Sequence, residues 1–154
     1  MKVLFVAGFG PVVGDRAAGT ALYQDALGLS LEGEGDGYLH TASLPGTNHF
    51  ALWPLAQAAQ SCFGSDTWPD HLLVPQAWIE FDVEEIEAAT AELTDRGYQL
   101  LVAARQEPWG QTVTRLLGPE GLLVGITVTP WMRDGHGQGD TLAEAAGSAG
   151  ASEQ

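Results

Sequence analysis

Two stretches of this chain read in the same order: an apolar strand, a helix with a capping residue, a glycine stop, and three short strands. Val3, Phe5 and Val6 lead an extended segment that breaks at Gly8-Phe9-Gly10-Pro11 and resumes through Val12 and Val13. Asp15 stands where a helix N-cap belongs, because its short side chain can accept from the free amides of a first turn. Leu22, Tyr23, Ala26 and Leu27 then recur at helical spacing, and Gly28 supplies the stop. Strands are expected over 29–34, 38–44 and 50–55, with Gly33, Gly35 and Gly37 marking the first turn and Pro45-Gly46 the second. The order returns at 77–83. Asp82-Val83-Glu84-Glu85 has the spacing of a capping box with Asp82 as cap; Ile86, Ala89 and Leu93 share a helix face, and Gly97 closes it. Strands over 99–104, 112–117 and 122–129 follow, the last two joined by Gly118-Pro119-Glu120-Gly121, a type I turn pattern. Units of this kind cannot each bury an apolar face alone, so the two must pack together.

The residue budget supports one domain. A chain of 154 residues can bury a single sizeable core, and 45% hydrophobic with 17% charged residues is the balance of a globular protein. The domain is expected over 1–131: a first unit over about 1–56, a connection over about 57–74, and a second unit over about 75–131, with 56–63 able to turn helical where the connection begins. From Met132 to Gln154 the chain is mostly Gly, Ala, Ser and acidic residues. Such a segment cannot offset its own ordering entropy, so a disordered tail is expected, with His136 a solvated part of it.

Charge narrows the partners. Six basic residues against twenty acidic ones give −14, which cannot build the positive footprint that phosphate backbones require, so nucleic acid is not an expected partner. Acidity serves solubility, and it also draws cations inward. The apolar start, residues 1–7, is too short to span a bilayer and lacks a small-residue cleavage signature; nothing later is long enough, so no membrane is expected. Cys62 stands alone, which excludes an internal disulfide and fits a cytoplasmic protein. It has no neighbouring base, so a buried, inert thiol is the reading. No glycine-rich phosphate loop or serine triad is visible.

Three stretches carry a family resemblance: Leu22-Tyr23-Gln24-Asp25-Ala26-Leu27-Gly28-Leu29; Ile79-Glu80-Phe81-Asp82-Val83 followed by Glu84-Glu85-Ile86; and Pro108-Trp109-Gly110-Gln111 with the 118–121 turn and Leu122-Leu123-Val124. They resemble the vicinal oxygen chelate superfamily, the glyoxalase, bleomycin-resistance and extradiol dioxygenase group, over roughly residues 3 to 131. The resemblance implies an α+β fold of two βαβββ modules whose curved mixed sheet encloses a pocket, in a homodimer. It also implies His, Glu or Gln ligands that hold a divalent ion. Here the matching positions are Gly8, Trp78, Gly125 and one of Ala51, Leu52 or Trp53, none of which supplies a donor. His49 and Glu80 remain nearby, too few for a defined catalytic site. No metal and no cofactor is therefore expected.

The ligand-binding candidates are Phe9, His49, Trp53, Trp78, Glu80, Trp109 and Gly125. Tryptophan offers a broad apolar face with one N–H donor, suited to a planar or cationic ligand. Glu80 and Asp82, on the strand face of Trp78, are placed to supply a counter-charge, and Gly8 and Gly125 to leave room. The expected function is a metal-free small-molecule binding protein of the bleomycin-resistance type, sequestering a cationic or aromatic natural product rather than catalysing. Two alternatives stand beside it: a metal-dependent lyase or dioxygenase with atypical ligands, and a metal-free enzyme using Glu80 or His49 as base.

Overall fold

The computed structural model describes residues 1–33 and 35–133. Among them, seven strands form one curved mixed sheet that does not close. The first, β1 (Val3–Val13), runs unbroken through the Gly-Phe-Gly-Pro segment expected to interrupt it. Its glycines are there for close approach, not for a break. A Cβ on Gly10 would fall 1.9 Å from the Ala51 carbonyl oxygen, and one on Gly8 would fall 2.9 Å from the His49 carbonyl oxygen and 3.0 Å from the Trp78 ring.

Asp15 caps α1 (Arg16–Thr20), its carboxylate accepting from the Ala18 amide at 3.0 Å. The helix widens into π-helical turns over Ala21–Ala26. That change of pitch rotates the apolar spacing off a single face: Tyr23 packs on Phe50, while Leu22 and Leu27 stay exposed. Gly28 follows with φ +72°. Of the strand expected over 29–34, only a bridge between Glu32 and His40 forms; Glu34 lies outside the described residues. β2 (Leu39–Thr41) and β3 (Phe50–Pro54) complete the first unit, and α2 (Leu55–Phe63) ends at Gly64 in the left-handed region.

In the second unit β4 (Ala77–Val83) leads into α3 (Ile86–Asp95). The expected capping box does not form. Glu85 is the N-cap residue and makes no side-chain cap, while Asp82 stays inside β4, its carboxylate taken by the Thr129 amide at 2.7 Å and Arg133 Nε at 2.9 Å. A buried carboxylate with two such donors has no reason to reach for a solvent-side helix end. β5 (Val102–Gln106), β6 (Thr112–Leu117) and β7 (Leu123–Val128) follow, and the 118–121 turn closes with Gly121 donating to the Gly118 carbonyl at 2.9 Å. A short α4 (Pro130–Arg133) takes up Met132 and Arg133, which the sequence reading assigned to the tail. The rest of that tail, 134–154 with His136, lies outside the described residues.

The strand order β2-β3-β1-β4-β7-β6-β5 displays the repeat. In each unit the first strand pairs in parallel with the last, β1 with β3 and β4 with β7, and the two first strands meet antiparallel at the centre. Helix α3 covers the outer face through Val83, Ile86, Ala89 and Ile126, and the first unit covers its own outer side with Leu31, Phe50 and Leu52. On the inner face, α2 sets Ala58, Ala59 and Cys62 against Val12, Ala51, Trp78 and Leu123. The cavity-facing side of the same helix carries Gln57, Gln60 and Ser61.

Candidate functional site

Strand register decides which side chains meet inside the cup. Gly8 faces Glu80, Glu80 faces Gly125, and Gly125 faces Arg115, so one row crosses β1, β4, β7 and β6 on the inner face. Because Gly125 has no side chain, Glu80 and Arg115 meet across it at 3.5 Å; a Cβ there would fall 2.7 Å from Glu80 Cγ. Gly8 in turn accommodates His49 and Trp78. The expectation that these glycines leave room for a ligand is corrected: the protein's own side chains fill that room.

Beyond this row lies a cavity of about 890 Å³. Five sequence candidates line it: His49, Trp53, Trp78, Glu80 and Trp109. Phe9 and Gly125 do not. Phe9 points to the outer face, edge-on to Phe50 at 5.7 Å, because strand alternation sets it opposite Gly8 and Gly10. Asp82 is fully buried and held by Thr129 and Arg133, so it offers the cavity no counter-charge.

The residue that sequence reasoning passed over is Arg115. Its side chain is only 4% exposed. Nη1 donates to Ser61 Oγ at 2.9 Å and lies 3.6 Å from Glu107 Oε1, Nη2 reaches Glu80, and the guanidinium sits 5.1 Å from the Trp53 ring centroid. Arg105 joins the cluster, bonding Glu107 at 2.7 Å and Ser61 at 3.1 Å. A signal existed: in Thr112–Leu117 the alternation places Arg115 with Val113 and Leu117 on one face, and a lone arginine on a buried strand face needs a partner. The chain thus sets a cation of its own against Trp53.

Several other lining groups are engaged as well. Trp78 spends its indole N–H on the Ala51 carbonyl at 3.2 Å. Trp109 donates to Gln111 Oε1 at 3.0 Å, and Gln111 donates to Glu80 Oε2 at 3.1 Å. Tyr38, another unforeseen lining residue, shares a 2.8 Å hydrogen bond with His49 Nε2, and His40 stacks against both rings. Burial, with His40 adding to it, lowers the His49 pKa to about 4. Burial, with Glu80 next, pushes the Tyr38 hydroxyl well above the usual phenol range. Both are neutral at pH 7, and an imidazole so shifted is a weak base. Cys62 is buried and burial raises its thiol pKa, as an inert thiol requires.

The donor set does not fit a divalent ion. Among the described residues no three His, Cys, Asp or Glu side chains converge. Glu80 is bonded to Arg115 and Gln111, His49 to Tyr38, and the positions at Gly8, Trp78 and Gly125 present an indole and aliphatic stems. A cation is held only by groups that can replace its water.

Comparisons with known proteins agree with this architecture. A sequence profile described as Glyoxalase/Bleomycin resistance protein/Dioxygenase superfamily matches residues 9–126. Among curated proteins, none matches significantly. Among solved structures, the chain is similar to a glyoxalase/bleomycin resistance protein/dioxygenase superfamily member from Vibrio splendidus, with 14% identity and TM-score 0.52, covering 79% of this chain and 96% of that one. It is also similar to a structure titled NAD-dependent benzaldehyde dehydrogenase from Legionella pneumophila, with 10% identity and TM-score 0.53, at the same coverage. A methylmalonyl-CoA epimerase from Streptomyces coelicolor shares 17% identity at TM-score 0.48, covering 84% of this chain and 96% of that one. At these identities the likeness to the first two shows a shared fold.

Proposed function

The chain belongs to the glyoxalase/bleomycin resistance protein/dioxygenase superfamily, and from that premise we propose that it is a metal-free binding protein for an aromatic small molecule. One observation carries the reading: the cup keeps an indole-walled cavity of about 890 Å³, while the positions that would hold an ion are filled by side chains bonded to one another. A volume of this size suits a small organic ligand, and Trp53 and Trp109 offer it broad apolar faces. Of the two ligand types the sequence suggested, the aromatic one keeps its support. The cationic one loses it, since Arg115 occupies the guanidinium position against Trp53 and Glu80 is already paired. Sequestration of an aromatic natural product, in the manner of an antibiotic-resistance protein in the cytoplasm, belongs to the same proposal. So does a homodimer, which light scattering giving a monomer mass at micromolar concentration would remove.

The direct test is a titration with phenylnaphthylamine, a neutral aromatic probe that brightens in apolar sites, alongside tryptophan fluorescence. Trp53→Ala and Trp109→Ala are expected to weaken binding about tenfold or more, as removal of aromatic contacts of about 1.5 kcal/mol would. Unchanged titrations in both variants would remove the cavity assignment. Protein dialysed after exposure to Ni, Zn, Fe or Mn is expected to retain none in stoichiometric amount by elemental analysis.

A further inference from the structure

Ser61 lies on the cavity side of α2 beside Gln57 and Gln60. Its hydroxyl oxygen accepts from Arg115 Nη1 at 2.9 Å and from Arg105 Nη2 at 3.1 Å. A hydroxyl oxygen has two lone pairs, and two guanidinium donors take both. The hydroxyl hydrogen is then left to donate. A serine within a helix commonly gives it to the carbonyl one turn earlier, as Thr20 and Thr90 do here. Among the described residues Ser61 makes no such bond, to Gln57 or to any other acceptor. A donor polarised by two cations and without an acceptor in the chain is directed at whatever occupies the cavity.

The surrounding charges define the acceptor. Arg105 and Arg115 are balanced by Glu80 and Glu107, each within ion-pair distance of an arginine. The cluster therefore has no net charge to offer an anion, and the chain's −14 opposes one. An ammonium group has no lone pair with which to accept from the Ser61 hydroxyl. A neutral oxygen with exposed lone pairs, a carbonyl, meets the Ser61 hydroxyl without a charge penalty.

We infer that Ser61, held as a hydrogen donor by Arg105 and Arg115, is a specificity residue that selects neutral aromatic ligands bearing a carbonyl oxygen, such as aryl ketones or quinones. This rests on the cavity-binding reading above and names the ligand class for it.

The test uses the full chain and two probes: the naphthyl ketone Prodan, whose emission moves to longer wavelength when a donor bonds its carbonyl, and phenylnaphthylamine, which has no carbonyl. Ser61→Ala is expected to weaken Prodan roughly three- to tenfold, the range for one neutral hydrogen bond. The bound emission is also expected to move to shorter wavelength, with phenylnaphthylamine weakened clearly less than Prodan. Ser61→Thr, which keeps the hydroxyl, should restore both affinity and emission. Circular dichroism checks that the variants fold, and alanine suits a helix position. Unchanged Prodan affinity and emission in Ser61→Ala would overturn the inference, as would equal weakening of both probes. Binding of neither probe to the unmodified protein would overturn the cavity reading itself, and this inference with it.

Discussion

An arginine can be buried only where its partners replace the water it loses, and Arg115 has four: Glu80, Glu107, Ser61 and the face of Trp53. Removing it leaves the Glu80 carboxylate without its cation in a poorly hydrated place, while Glu107 keeps Arg105. Arg115→Ala is therefore expected to cost about 3–5 kcal/mol in urea denaturation, with Arg115→Lys intermediate because an ammonium cannot reach all partners at once. Arg105, whose side chain is 41% exposed, should cost far less on replacement. His49 supplies a pH signature. Its folded pKa of about 4 lies below the ordinary value of 6.5, so between these values the unfolded chain binds a proton that the folded one does not. Stability from this residue is complete above pH 6.5 and declines as pH falls toward 4. After allowance for partial exposure, the loss is about 1–2 kcal/mol. Thermal melts of the unmodified protein and of His49→Gln should diverge over that window, the variant being flatter. Equal slopes would contradict the assignment.

At the scale of elements, the close pairing of β1 with β3 depends on Gly10. Gly10→Ala drives a Cβ into the Ala51 carbonyl and is expected to destabilise by about 3 kcal/mol or more. Gly14, with open space around it and no positive φ, should tolerate alanine within about 1 kcal/mol. Comparison of the two by denaturation separates a packing role from a general aversion to losing glycine. The glycines of β1 show why the break expected there was wrong. Glycine reads locally as punctuation, but the backbone that approaches it belongs to a strand some forty residues away. The same reason accounts for the capping box: Asp82 had the right spacing, yet Arg133 and Thr129, distant in sequence, supply better donors. Arg133 also holds α4, through Asp82 and the Val83 and Glu84 carbonyls, where Trp131 and Met132 line the cavity. Arg133→Ala should expose the Met132 amide to faster hydrogen exchange and weaken phenylnaphthylamine binding.

For the whole molecule, a charge of −14 on 154 residues means that the compact state repels itself. Raising NaCl from about 50 mM to about 500 mM shortens the screening length severalfold and is expected to raise Tm by a few degrees. A fall in Tm would show that the arginine-centred pairs outweigh the net repulsion. The order of elements was written into the chain because periodicity, capping residues and glycine stops act over a few residues. That local grammar carried the two similar units, the Asp15 cap and the turn at 118–121. Which side chains share the cavity was settled by register and by closure of the cup. These set Arg115 across Gly125 from Glu80, carried Phe9 and Asp82 out of the site, and brought in Tyr38, Ser61 and Arg105. Residues so far apart along the chain have no local energy linking them; only burial, by removing water from both, makes each the partner the other requires.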